Sequence, residues 1–194
     1  MYISYADTEE AANRFLAQYN PAGTIPIPIE EIVELHLGIS IVPRLGLLRE
    51  EGIDAFLSHD FTTLNIDQEH YMNHSNRCRF TLAHEIGHYV LHRDIIESIK
   101  TVEEWRRFVL GEGTGRAVYE IHADNFAGCL LMPRELVLAE YKAQKEMADK
   151  TFRAAKMNVP DDSIQIPFIA NELARKFEVS QQAAEIRLRK IFQK

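Results

Sequence analysis

Residues 77–92 read RCRFTLAHEIGHYVLH, a run in which apolar side chains recur at helical spacing while two histidines and a glutamate interrupt them. Phe80, Leu82, Ala83, Ile86, Val90 and Leu91 supply enough apolar surface to bury a helix over 77–92. His84, Glu85 and His88 then share one polar strip. Burying such a strip is costly unless each polar group finds a partner, so any fold of this chain must provide partners here. Positions i and i+4 stand one above the other on a helix face, which lets His84 and His88 turn their imidazoles toward a single ion. Glu85, one residue round from His84, can reach a water bound to that ion. This is the HExxH spacing of zinc metallopeptidases, two ligands and a general base. The pattern also occurs by chance on solvated helices, and the apolar period around it argues against that origin.

A catalytic zinc site takes three protein ligands and leaves one position for water, so a third ligand must come from elsewhere in the chain. Residues 120–133, EIHADNFAGCLLMP, predict a helix with Glu120 and Asp124 one turn apart, opposite Ile121, Phe126, Leu130 and Leu131. Glu120 is the expected ligand. Asp124 is then placed to orient a ligating imidazole by accepting its other N–H. Ala123 and Ala127 are small and lie near that face, which lets two helices approach. His122 is the rival ligand, but it points about 200° round the helix from Glu120, so both cannot face one ion. His92 lies eight residues after His84, a rise of about 12 Å, whereas ligands of one zinc sit about 2.1 Å from it. It therefore reads as a C-terminal residue favoured by the helix dipole, or as a structural hydrogen-bond donor. His70 and His74, also four apart, fall in a polar stretch and read as non-ligating.

The rest of the chain predicts an α+β fold. Asp7 and Glu10 have the form of a capping box for a helix over 8–19, and the proline-rich segment after Asn20 is an extended connector. A short helix follows from Ile29, closed by Gly38. Residues 39–42, 53–58 and 63–66 read as strands of a small antiparallel three-stranded sheet, and 67–76 as a polar link. Residues 93–116 combine a helical period over 102–110 with a flexible GEGTG loop at 111–115. Helices are expected over 117–131, 134–157, 166–177 and 181–192. The expected architecture is thus a sheet on a helical, zincin-like core with a C-terminal helical hairpin. The break at 158–163 predicts a metallopeptidase-like domain over 1–157 and a helix-turn-helix-like appendage over 158–194, packed on the same domain.

At 194 residues the chain suits one domain, and its net charge of −7 argues against gripping nucleic acid with the whole surface. No apolar run reaches membrane-spanning length and the first ten residues lack a basic-then-apolar pattern, so the expected location is cytoplasmic, with no membrane partner. Cys78 and Cys129 form no CxxC and read as buried free thiols.

The pair NRCRFTLAHEIGHYVLH and EIHADNFAGCLLMP, in this order, resembles the ImmA/IrrE family of bacterial metallopeptidases, with weaker similarity along PIPIEEIVELHLGISIV and the strands after it. The resemblance implies a gluzincin-type endopeptidase with metal ligands His84, His88 and Glu120 and with Glu85 as catalytic base. It implies one divalent ion, zinc or alternatively manganese. The implied partner is a protein substrate, a helix-turn-helix repressor governing mobile elements or stress responses. Many relatives carry a fused DNA-binding or sensor domain, for which these residues leave no room, and 93–116 reads as an enlarged insertion. Tyr119, His122 and Tyr141 are candidate oxyanion donors, and the strand over 63–67 is a candidate site of peptide addition on the condition that it lies at a sheet edge beside the cleft. Two alternatives stand beside this reading: a non-proteolytic anti-repressor that retains the metal site, and a DNA-binding regulator. The second rests on LARKFEVSQQAAEIRLRK at 173–190, which has helix-turn-helix form with Arg187, Arg189 and Lys190 on its second helix. Residues 161–194 hold six Lys/Arg against five Asp/Glu, a balance that makes direct nucleic-acid contact the weaker expectation.

Overall fold

The computed structural model describes residues 3–73, 75–110, 116–156, 158 and 162–192. Helix α1 (Tyr5–Tyr19) begins earlier than the Asp7–Glu10 pattern suggests. Its N-cap is Ser4, whose Oγ accepts the Asp7 N–H at 3.2 Å while the Asp7 carboxylate accepts the Ser4 N–H at 3.3 Å. Helix α2 (Ile29–Glu31) runs into a π-helical turn, Ile32–His36, which buries Ile32 and Val33. Gly38 at φ +68° then turns the chain into the sheet.

The sheet holds β1 (Ser40–Arg44), β2 (Ala55–Leu57) and β3 (Thr63–Asp67) in the order β1-β3-β2. It is mixed rather than antiparallel. The β2–β3 pair is the expected antiparallel hairpin, but β1 runs parallel to β3. The cause is the connection between β1 and β2. Short helix α3 (Leu47–Glu51), set between Gly46 at φ +74° and Gly52 at φ +71°, carries the chain past the central position to the far edge. The tight turn after β2 then returns it to the middle. Residues 63–67 therefore form the central strand and have no free edge, whereas β2 does. Pro43 is accommodated because β1 is an edge strand.

The polar stretch after β3 is helical, α4 (Gln68–Asn73), because the Asp67 carboxylate caps it. That carboxylate accepts the Leu48 N–H at 3.0 Å and the His70 N–H at 3.1 Å, and these donors hold it below the usual carboxylate range. His70 is buried and pairs with Asp54 at 3.2 Å; His74 lies outside the described residues.

Helix α5 (Ser75–Leu91) carries the HExxH segment and crosses α8 (Arg116–Leu131). The crossing is tight at Gly87, where a β-carbon would lie 3.0 Å from Ala123 Cα and 3.2 Å from Ala123 O. Ala123 and Ala127 are fully buried there, as their size suggests. Between these helices, residues 93–110 form α6 (Arg93–Ser98) and α7 (Val102–Val109), the latter started by a Thr101–Glu104 capping box. The GEGTG segment lies outside the described residues.

Helices α9 (Arg134–Ala154), α10 (Asp162–Phe177) and α11 (Gln181–Phe192) complete the chain. Ile169, Leu173, Phe177, Leu188 and Ile191 of the last two join the same apolar core as α5 and α8. Asn76 donates to the Val179 carbonyl at 3.2 Å and Arg79 to that of Glu178 at 3.3 Å, which fastens α5 to the turn of the hairpin. Arg187 is buried. It donates to Met132 O at 2.9 Å, to Glu9 at 2.6 Å and to the Tyr5 hydroxyl. Cys78 and Cys129 are buried free thiols. Among the described residues no helix is long and apolar enough to cross a membrane.

Replacing a helical glycine by alanine ordinarily adds about 1 kcal/mol of stability. At Gly87 the contact with the Ala123 backbone reverses the sign, and Gly87→Ala is expected to cost about 1–3 kcal/mol as overpacking. Urea unfolding of the two proteins checks this, and an equal or more stable variant would show that the helices part freely.

Candidate metal centre

The crossing of α5 and α8 brings His84, His88 and Glu120 together. His84 Nε2 lies 3.1 Å from Glu120 Oε2, His88 Nε2 lies 3.3 Å from Glu120 Oε1, and the two Nε2 atoms are 3.2 Å apart. Tetrahedral ligands about 2.1 Å from a zinc ion stand about 3.4 Å from one another. The triangle therefore has the size and the donor chemistry, two imidazoles and a carboxylate, of a three-ligand cation site.

Both histidines are held from outside the triangle. Asp124 Oδ1 lies 2.9 Å from His84 Nδ1; accepting a proton there leaves the Nε2 lone pair facing the cluster. Burial alone would lower the pKa of His84. The bonds to Asp124 and Glu120 and the charge of Glu85 outweigh it and raise it to about 10, a field that favours positive charge at this point. Glu85 is itself buried beside the cluster. Its Oε2 accepts the Leu57 N–H of β2 at 3.0 Å, which fixes the carboxylate's direction.

His88 is held by a residue the sequence reading sets aside. His92 is too far along the chain to join the triangle, as the helical rise requires, yet its Nδ1 lies 2.9 Å from His88 Nδ1. With His88 Nε2 turned to the cluster, Nδ1–H donates to His92. His92 is 1% exposed, stacks on His122 with ring centroids 5.6 Å apart, and meets the Tyr119 ring at 5.0 Å. The signal was present in the sequence: His88 and His92 repeat the four-residue spacing that pairs His84 with His88.

The other sequence candidates lie elsewhere. His122, the rival ligand, accepts the Ile3 N–H at 3.2 Å on the far side of His92, and burial pushes its pKa down. Tyr141 packs on Phe192 with centroids 4.7 Å apart. None of Tyr119, His122 and Tyr141 lines the cleft. The cleft, of about 420 Å³, opens over His84, Glu85 and Glu120 between Asp54, Ala55 and Arg77. Among the described residues its cationic wall residue is Arg77, which the sequence did not single out and which grips Asp54 at 2.7 and 2.9 Å. Helix α7 supplies the opposite rim: Phe108 meets the His88 ring at 6.2 Å, and Val109 and Leu110 line the opening.

Fold and site together define an α+β domain that carries a His-His-Glu cluster where its two central helices cross. The family model for the IrrE N-terminal-like domain, peptidase M78, matches residues 54–189, and the chain belongs to that family. That family is described as a peptidase family. Among solved structures the chain is similar to a Mycobacterium tuberculosis transcriptional regulator, at 19% identity and a TM-score of 0.56. The match covers 97% of this chain and 47% of the regulator, so the chain spans about half the length of that relative. No curated protein matches.

For an ion held by this cluster, His92→Ala is expected to weaken affinity about 10- to 100-fold, the usual cost of removing the partner of a ligating imidazole. His92→Gln, which restores an acceptor, should recover part of it. Zinc competition against a chromophoric chelator reads both, with circular dichroism to confirm folding. Unchanged affinity in His92→Ala would leave His92 no part in the site.

Proposed function

We propose that this chain is a metal-dependent endopeptidase of zinc type, with His84, His88 and Glu120 as ligands, Asp124 supporting His84, and Glu85 as general base. The observation that carries the reading is the convergence of the His84 and His88 Nε2 atoms, 3.2 Å apart, on the two oxygens of Glu120 at 3.1 and 3.3 Å, beside a carboxylate fixed by the β2 backbone. A bound divalent ion, zinc or alternatively manganese, supplies a Lewis acid that acidifies water and polarises a carbonyl. Glu85 takes the proton of the attacking water and passes it to the leaving amine.

The strand that would receive the peptide is β2 rather than β3. The Asp54 carbonyl and the Ser58 N–H both bond to β3. Backbone groups alternate between the two sides of a strand, so Ala55 directs its N–H and C=O toward the cleft. An extended substrate can pair there by strand addition.

The substrate we propose is a helix-turn-helix transcriptional repressor met in the cytoplasm, a reading supported by the resemblance of both motifs to ImmA/IrrE peptidases. Direct DNA binding by the C-terminal hairpin fits less well. Arg187 is buried in the fold and so withdrawn from the helix that would enter the groove, which leaves Arg189, 3.4 Å from Glu185, and Lys190 as its surface cations.

Metal analysis of the purified protein should give one equivalent of a divalent transition metal, lost in His84→Ala and in Glu120→Ala. Incubated with the product of an adjacent repressor gene, the wild type should cut it and a chelator should stop it. Glu85→Gln should retain the metal and lose about 100-fold or more of the cleavage rate. Proteolysis undiminished in that variant refutes Glu85 as the base.

A further inference from the structure

A second and larger cavity, about 620 Å³, runs from the metal cleft along the C-terminal hairpin. We infer that it is the substrate's second foothold, a groove that takes a short apolar stretch of the protein substrate on one side of the scissile bond. The inference rests on the peptidase reading above and deepens it.

Continuity is the first argument. Arg77, Phe80 and Asp124 line both cavities, so the groove opens directly off the cleft that holds the cluster. Asp124 is also the residue bonded to His84, which places one end of the groove one side chain away from the candidate ligands.

The walls give the chemistry. Ile121 of α8 and Ile186 of α11 line the groove from two helices and are 56% and 49% exposed, although both belong to helices whose other large aliphatic residues are mostly buried. With Phe80 they form an apolar lining. Gly128 belongs to the groove as well, and a β-carbon there would meet no atom within 4 Å, so a substrate can approach the α8 backbone. Asn76, Asn125 and Gln182 add side-chain amides, able both to donate to and to accept from a peptide backbone.

The length suits a peptide. Gln182, Ile186 and Lys190 stand one turn apart along α11, and eight residues of helix rise about 12 Å. That spans three to four residues of extended chain at about 3.3 Å each. Of the charged residues on the walls, Arg77 pairs with Asp54, Asp124 with His84 and Arg187 with Glu9, while Lys190 lies over the Tyr5 ring. With these engaged, a volume in the usual range for small-ligand pockets and an apolar lining between amides suit a few apolar side chains with their backbone.

The test uses a library of proteome-derived peptides and the metal-loaded full chain, with cleavage sites read by mass spectrometry. Expected is enrichment of aliphatic or aromatic residues on one side of the cut. Ile186→Glu and Ile121→Glu, both at exposed positions, should each lower kcat/KM for those peptides about tenfold or more. Their metal content should stay at the wild-type level. Cleavage without apolar preference, or variants that cut the same peptides at wild-type rates, overturns the groove while leaving the peptidase reading intact. A loaded wild type that cuts neither peptides nor repressor overturns both. A wild type that is dimeric in light scattering and becomes monomeric with Ile186→Glu would make the groove a contact between copies, and the inference fails.

Discussion

The close approach of α5 and α8 at Gly87 is the constraint on which the site depends. Without a β-carbon at that position, the helix bearing His84 and His88 meets the Ala123 backbone directly, and Glu120 lies one turn before that contact. An i, i+4 pair from one helix and a single carboxylate from the other then converge within one ion's reach. Metal sites tolerate only about 0.2 Å of error in ligand distance, and a methyl group at Gly87 would ask the backbones to shift by more. The glycine inside the HExxH segment is thus a packing residue whose consequence is chemical.

The same crossing explains how a buried helix carries so many polar groups. A strip of imidazoles and a carboxylate would be costly among apolar neighbours if left unpaired. Here Asp124 meets His84, His92 meets His88, and the Leu57 N–H meets Glu85. The partners come from α8, from the turn after α5 and from β2. No single element could supply all three, which is why the sheet, small as it is, has to stand where it does.

Two regions that neither motif includes line the cleft and the groove beside it. Residues 102–110 place Phe108 against His88 and Val109 and Leu110 on the rim. The C-terminal hairpin reads from its sequence as helix-turn-helix, yet its most buried cation, Arg187, faces inward to Glu9 and the Met132 carbonyl. A basic residue on an amphipathic helix looks the same in sequence whether it faces solvent or the acceptors of a distant segment. Only the packing of α11 on α1 separates the two.

Periodicity and spacing by themselves determined the longer helices, the three strands, the two motifs and, within each motif, the shared face of His84 with His88 and of Glu120 with Asp124; the short helices α3, α4 and α6 carried no such period. The shared faces follow from local geometry, since residues three or four apart on a helix share a face wherever that helix goes. Long-range placement was decided by tertiary structure alone. The parallel pairing of β1 with β3 depends on where a short helix between two glycines delivers the chain. The place of β2 at the edge beside the cleft follows from that route. The role of His92 was masked by the correct conclusion that it cannot reach the ion, because a residue can serve a metal site through the ligand it holds. The HExxH helix opened as two ligands and a base; its fold supplied what the pattern cannot encode, the partners across a helix crossing and a sheet edge.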